Sequence, residues 1–226
     1  MTLVGPGTEA QAGAGHPPPE RFHIAAPVRI GRGDSVQVEL APRRIAPVRP
    51  VILYEAMPDP SQQFQATPGI ECNQFNGVGA TNGHTEVALE IDVPNHSVLP
   101  DGKVRLYQRR NGRNDVVSED ALRTAAGVAR LRVTSNNDIT GERHAVSCNA
   151  DEQRHTLHET IEVKIENRTA RAADVVIREF LWRWPSWRID GENHKGTRAG
   201  PQLQEYHVRV PASGRQVVTY TAVYSW

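Results

Sequence analysis

The sequence predicts an all-β protein made of two antiparallel β-sandwich domains, the C-terminal one immunoglobulin-like. Residues 205–226, EYHVRVPASGRQVVTYTAVYSW, alternate with period two, so Tyr206, Val208 and Val210 share one strand face and His207 and Arg209 the other. Beyond the turn at Pro211–Gly214, Val218, Tyr220, Ala222, Tyr224 and Trp226 fall on a single face. The pair reads as a β-hairpin with one apolar side. Short apolar runs broken by Pro, Gly and Asn recur along the rest of the chain, with almost no helical spacing. A sheet with one apolar face must be covered by a second layer, and 226 residues suffice for two sandwiches of roughly 100 residues each.

Taken in order, residues 1–20 are rich in Gly, Ala and Pro without periodicity, and read as a flexible tail or linker. Residues 21–125 form the first predicted sandwich. Its strand signals are Phe22 and Ile24, then Val36, Val38 and Leu40, then Val51 and Leu53, with Pro27, Pro42, Pro47 and Pro50 expected at strand ends or edges. The polar stretch 56–83 is too long for a hairpin connection and reads as a surface excursion. Strands resume at Val87–Val93 and at Val104 and Leu106, and Asn111-Gly112 marks a tight turn. Ser118 followed by Glu119 and Asp120 suggests a short helix over 118–126 with Ser118 as its cap. Residues 126–226 form the second domain: Ala129, Leu131 and Val133, then Ile161, Val163 and Ile165, a turn at 167–169, a strand from Val175 to Trp184, and the terminal pair. That makes about seven strands, the immunoglobulin-like number.

Twenty-six basic and 26 acidic side chains balance, so no global field favours nucleic acid or an anionic membrane. No apolar run approaches the roughly 20 residues of a membrane helix, so no membrane insertion is expected, and no basic-then-apolar export signal opens the chain. Arginine outnumbers lysine 23 to 3, which reads as base bias in the coding sequence. The two cysteines, Cys72 and Cys148, are candidates for a disulfide between the halves or for two separate buried thiols.

The series LPDGKVRLYQR, SEDALRTAAGVARLRV, TGERHA, HETIEVKIENRTARAADVVIREFLWRWPSWRI and HVRVPASGRQVVTYTAVYSW resembles the C-terminal β-rich domain of the mucoidy-inhibitor-A-like bacterial envelope proteins, a domain of unknown function. The resemblance spans most of 21–226 and is strongest after Leu99. It implies a β-sandwich in an extracytoplasmic setting, at the periplasm, cell surface or outside the cell, and implies no reaction. The export signal, N-terminal domain and coiled coil usual ahead of this region in that family do not occur in this chain.

Chemistry-bearing clusters are sparse. Trp182, Trp184 and Trp187 surround Arg183 and Pro185; on a strand Trp182 and Trp184 share a face with Phe180, while Leu181 and Arg183 face away. The row suits core or inter-sheet packing, with Arg183 or Arg188 over an indole, and equally a carbohydrate or peptide surface. His155, His158 and Glu159 resemble a helical zinc motif, but strand geometry turns His158 away from the other two. Asn136–Glu142 and Asp190–Asn193 hold oxygen ligands of the type a hard cation takes, and are also ordinary turn formers. Gly31–Ser35 places an Arg-Gly-Asp tripeptide, similar to the integrin-binding motif, at a hairpin tip. No nucleophile elbow, catalytic cysteine setting or phosphate loop occurs.

The expected function is a non-enzymatic extracytoplasmic module without a cofactor, binding a protein partner, a copy of itself or a polysaccharide, and not nucleic acid. The alternatives are a hydrolase of envelope polysaccharide or peptide built from carboxylates brought together by folding or from a His-containing metal site, and a surface-filament subunit exchanging residues 1–20.

Overall fold

In the computed structural model, the strand Thr156–Asn167 shows how alternation becomes structure. Leu157, Glu159, Ile161, Val163, Ile165 and Asn167 turn inward and are buried, and the residues between them face outward. The structure describes residues 2–4, 21–23, 31–33, 48–56, 68–72, 83–92, 103–121, 123–125 and 128–226. Among these, strands dominate and no α-helix occurs.

The chain divides into two compact units, Met1–Ile45 and Ala46–Trp226. In the first, β1 (Thr2–Val4) pairs antiparallel with β2 (Arg21–His23), Leu3 opposite Phe22. Arg32 and Gly33 form a turn, with Gly33 at φ 86°. Asp34 and Ser35, the strand expected at Val36–Leu40, most of the 1–20 segment and most of the 56–83 excursion lie outside the described residues.

The second unit holds β3 (Val48–Glu55), β4 (His84–Asp92), β5 (Lys103–Arg110), β6 (Arg113–Ala121), β7 (Arg123–Ala125), β8 (Val128–Asp151), β9 (Thr156–Asn167), β10 (Ala173–Phe180), β11 (Trp187–Glu192), β12 (Thr197–Gly200), β13 (Leu203–Val210) and β14 (Gly214–Ser225). One ten-stranded mixed sheet runs β11-β14-β9-β8-β4-β3-β10-β13-β12, with β7 also on β8, so strands from both sides of residue 126 share it. Among the described residues its one parallel pairing is β3 with β10. Pro50 sits on β3 before that pairing begins at Ile52, where a missing amide donor costs no ladder bond to β10. β5 and β6 form a separate two-stranded ribbon around the Asn111-Gly112 turn, both residues at positive φ.

β8 organises the sheet. Its first half pairs with β4 from Val128 to Thr140, and its second half with β9 from Ile139 to Asp151. The changeover coincides with Gly141, where a Cβ would lie 2.1 Å from Cε2 of Tyr54. Only a bare Cα lets the buried Tyr54 ring lie against the strand here.

Three sequence expectations are corrected. Within the expected helix the described residues 118–121 and 123–125 are strand: the Ser118 hydroxyl donates to the Arg132 carbonyl at 2.6 Å, and Asp120 accepts from the Arg132 amide at 2.9 Å, so the expected cap and first-turn residues dock β6 on β8. β13 and β14 are not a hairpin. β13 pairs with β10 and β12, whereas β14 pairs with β9 and β11. A hairpin would put both apolar faces on one surface in need of a cover. Instead the chain crosses between the arms of the sheet and each strand helps cover the other, with the Tyr206 and Tyr220 rings stacked at 5.5 Å. The Asn167 amide pins this crossing by donating to the carbonyls of Arg171 and Pro211 at 2.7 and 3.0 Å. The strand expected to reach Trp184 also stops earlier, at Phe180.

The core between the arms joins Tyr54, Val175, Ile177, Tyr206, Val208 and Val210 to Ile161, Val163, Ile165, Val218, Tyr220 and Tyr224. Each fully buried aliphatic side chain contributes roughly 1.5–3 kcal/mol. Gly141→Ala is expected to lower the thermal midpoint by several degrees through overpacking of about 1–3 kcal/mol. In a Tyr54→Ala background the same change should cost far less, as thermal denaturation of the four proteins will show.

Candidate functional site

Charged residues fill the sheet face opposite that core. Arg49, Glu90 and Arg130 stand directly opposite one another on β3, β4 and β8, and Glu55, Arg178 and Glu205 do so on β3, β10 and β13. Charge alternates along each row, the favourable cross-strand arrangement. Arg49 Nε meets Glu90 at 2.7 Å, Arg130 Nε meets Glu90 at 2.8 Å, and Arg178 Nε meets Glu205 at 3.0 Å. Glu55 accepts from both Arg178 and Arg132, and Arg132 also reaches Glu86 at 2.8 Å.

Arg130 ties the two rows together. Its guanidinium grips both oxygens of Glu205, at 2.5 and 3.0 Å. Yet β8 and β13 are four strands apart, about 19 Å in a flat sheet, which two side chains lying across it cannot bridge. The sheet is therefore curled toward this face. Val51, Leu53, Ala88 and Val176 form a small apolar cluster in the same concavity. Burial alone would push the Glu90 carboxyl up, but the hydrogen bonds and charges of Arg130 and Arg49 together hold it below the ordinary carboxylate range.

A second ionic group lies inside the main core. Arg143 pairs with Glu179 at 2.8 Å, and the Tyr220 hydroxyl donates to the same carboxylate at 2.5 Å. Arg183 pairs with Glu159 at 3.1 Å, and Tyr224 donates to Glu159 at 3.4 Å. Burial, followed by the neighbouring carboxylates Glu179 and Glu159, pushes the Tyr220 and Tyr224 hydroxyls well above their ordinary value. These hydroxyls stay protonated as donors. Each buried carboxylate named here has an arginine beside it, an arrangement that holds charge in place.

The tryptophan segment occupies a turn, with its alternation kept. Leu181 and Arg183 are buried, while Trp182 and Trp184 are half-buried and Trp187 is 9% exposed. The Arg183 guanidinium lies 4.7 Å from the Trp182 ring centre and donates to the carbonyl of Gly69 at 2.6 Å. Cys72 and Cys148 are joined by a disulfide, Cα atoms 5.6 Å apart, which fastens the segment Pro68–Cys72 to β8. The Trp187 indole donates to the Pro201 carbonyl at 2.7 Å, under the Arg198 guanidinium at 4.3 Å. Trp184 and Trp226 pack against the core. Arg188 turns to Asp190 at 3.9 Å.

The oxygen- and nitrogen-rich motifs separate in space. Glu159 points into the core and His158 outward, while His155 sits in a turn at φ 52° and meets Trp226 edge-on at 6.0 Å. Asn136 accepts from the Asp138 amide at 2.9 Å as a local turn former, and Glu192 accepts from the Gly196 amide at 3.2 Å.

The most exposed apolar side chains of the β5–β6 ribbon are Tyr107, Val116 and Val117, at 53, 58 and 43%. Tyr107 stands opposite Val116 across the strands. Towards the tip, Arg109, Arg110 and Arg113 are all exposed. Among the described residues, the base of the ribbon is anchored through Ser118 and Asp120 on β8. An isolated two-stranded ribbon is marginal in water, so this one depends on that anchorage.

Fold and surface define a class: an all-β chain with a charge-lined concave sheet and a projecting ribbon. No protein-family model matches the chain, and neither a curated protein nor a solved structure does.

Because Glu90 titrates below its unfolded value, its contribution to stability is complete above the ordinary carboxylate range of about pH 4–5. It is lost as pH falls through the depressed folded-state value. The thermal midpoint should accordingly be flat near neutrality and fall in acid, and Glu90→Gln should start lower at neutral pH and fall less. Parallel profiles for the two proteins would contradict this.

Proposed function

We propose that this protein is a non-enzymatic, extracytoplasmic β-module of the bacterial envelope that engages another protein, a second copy of itself in the simplest case, through the β5–β6 ribbon. The observation that carries this reading is the ribbon itself. Tyr107, Val116 and Val117 are large apolar groups at 43–58% exposure on a two-stranded ribbon that, among the described residues, is held at its base. Water contact on both faces of such a ribbon is unfavourable, and a partner covering Tyr107 and Val116 would remove it. Among the described residues β5 and β6 pair with each other alone, and their outer edges offer backbone groups for strand addition.

The envelope setting rests on the resemblance of LPDGKVRLYQR and the later strand series to the mucoidy-inhibitor-A-like proteins, and the disulfide between Cys72 and Cys148 suits an oxidising compartment. Within the large unit, β8 to β14 supply seven strands in two arms that face each other through Tyr206 and Tyr220, which supports reading 126–226 as an immunoglobulin-like sandwich. The tightly paired carboxylates favour a binding role over acid–base chemistry.

The test is the mass of the protein in solution against concentration, by light scattering. The wild type should self-associate, and Tyr107→Ser with Val116→Ser should weaken the association at least about tenfold without lowering the thermal midpoint. A wild type that stays monomeric at high concentration, or variants that associate as the wild type does, would overturn the self-association reading.

A further inference from the structure

We propose that a groove at the end of the β8–β9–β14 arm binds an acidic polysaccharide. The groove consists of two adjoining hollows. One of about 470 Å³ is lined by Lys164, Glu166, Arg168, Ser213 and Arg215, together with Asn167 and Gly214. The other, of about 410 Å³, shares Lys164, Glu166 and Arg168 and continues to Thr140 and Glu142 beside Gly83 and Gly141. Each lies within the size range of ordinary ligand sites, and together they make an open track suited to a chain.

The electrostatics of the track point to an anion. Lys164 stands opposite Glu142, and Arg215 opposite Glu166, yet neither cation forms an ion pair among the described residues. The carboxylates are occupied elsewhere: Glu142 meets His144 at 2.9 Å and Glu166 meets Arg168 at 3.8 Å. Three cations facing two carboxylates leave a positive excess, and the two uncommitted cations are free to take a carboxylate or sulfate.

The rest of the lining selects among anions. Among the described residues that line the groove there is no aromatic ring, so they give nucleic-acid bases no surface to stack on. Nor is there a large apolar side chain among them, so they give a peptide no anchor pocket. What it does offer is hydroxyl and carboxylate oxygens from Thr140, Glu142, Glu166 and Ser213 interleaved with the cations. Sugar hydroxyls both donate and accept, and a chain bearing acidic groups at intervals matches that alternation. Binding is open to solvent, so it should weaken steeply with salt.

The inference is independent of the β5–β6 ribbon, whose own exposed arginines supply the control. Calorimetric titrations would use a galacturonic acid hexamer, a heparin hexamer and a neutral galactose hexamer. The carboxylated or the sulfated hexamer should bind, at least about tenfold more tightly than the neutral one, and the comparison of the two assigns the acidic group. Lys164→Ala with Arg215→Ala, and separately Arg168→Ala, should weaken binding by about tenfold at an unchanged thermal midpoint. Arg109→Ser with Arg110→Ser and Arg113→Ser should leave it intact. The inference is overturned if neither acidic hexamer binds, if the groove variants bind like the wild type, or if the ribbon variant is the one that loses binding.

Discussion

The guanidinium of Arg130 imposes the constraint from which the large unit takes its shape. It bonds Glu90 on the adjacent strand and both oxygens of Glu205 four strands away, at 12% exposure of its own side chain. A fork of rigid donors reaches two carboxylates only if the sheet brings them together, so the contact and the curl require each other. Once the sheet curls, one surface becomes a concavity for the Arg/Glu rows and the cluster of Val51, Leu53, Ala88 and Val176, and the opposite surface is left to face the β9–β14 arm. Replacing a buried ion pair with apolar groups of like shape often costs nothing, whereas deleting one partner leaves an uncompensated charge. The rows therefore act mainly to exclude flatter arrangements.

The same logic extends to the main core. Arg143 and Arg183 neutralise Glu179 and Glu159 among residues that are otherwise apolar or tyrosine. Tyr220 and Tyr224 complete the carboxylates with hydroxyl donors, which ties β14 to the end of β10 and the start of β9. Arg183 further draws in the segment Pro68–Cys72, where the disulfide adds a covalent tie to β8. Residues 68–72, 148, 159 and 183 are distant in sequence, and one cluster holds them. Of the tryptophans, Trp182 lies against the Arg183 guanidinium of this cluster, while Trp184 and Trp187 pack on the main core.

Strand positions were legible where one face is apolar and the other polar: β4, β9, β13 and β14 follow directly from alternation, and the Asn111-Gly112 turn from its residue types. Pairing was less so, because alternation says which residues share a face but not which strand lies alongside. Consecutive strands usually pair, and β13 and β14 break that habit by crossing between arms. The helix expected at 118–126 failed for a related reason. Ser118 and Asp120 satisfy helix ends and strand edges with the same oxygens, and the contact with Arg132 decided between them. The charged concavity left a faint signal. Arg49 and Glu55 are in phase with Val51 and Leu53, as Glu86 and Glu90 are with Ala88, but a charge in phase with apolar residues reads as an exposed strand face until its partners are known. The groove residues were invisible as a set, since Thr140, Lys164, Arg168 and Arg215 meet only through the pairing of β8, β9 and β14.

Both surfaces argued to meet ligands, the ribbon and the groove, lie away from the interior ionic rows, so the rows can be probed by stability alone. The direct test is a double-mutant cycle on Arg130 and Glu205, with Arg130→Gln, Glu205→Gln and the pair measured by denaturant unfolding. A sheet held in its curl by this contact predicts a coupling of about 2 kcal/mol or more, the double variant being far less destabilised than the summed singles. A coupling near zero would mean that the two side chains do not act on each other across the concavity, and would contradict the account of how this sheet acquires its shape.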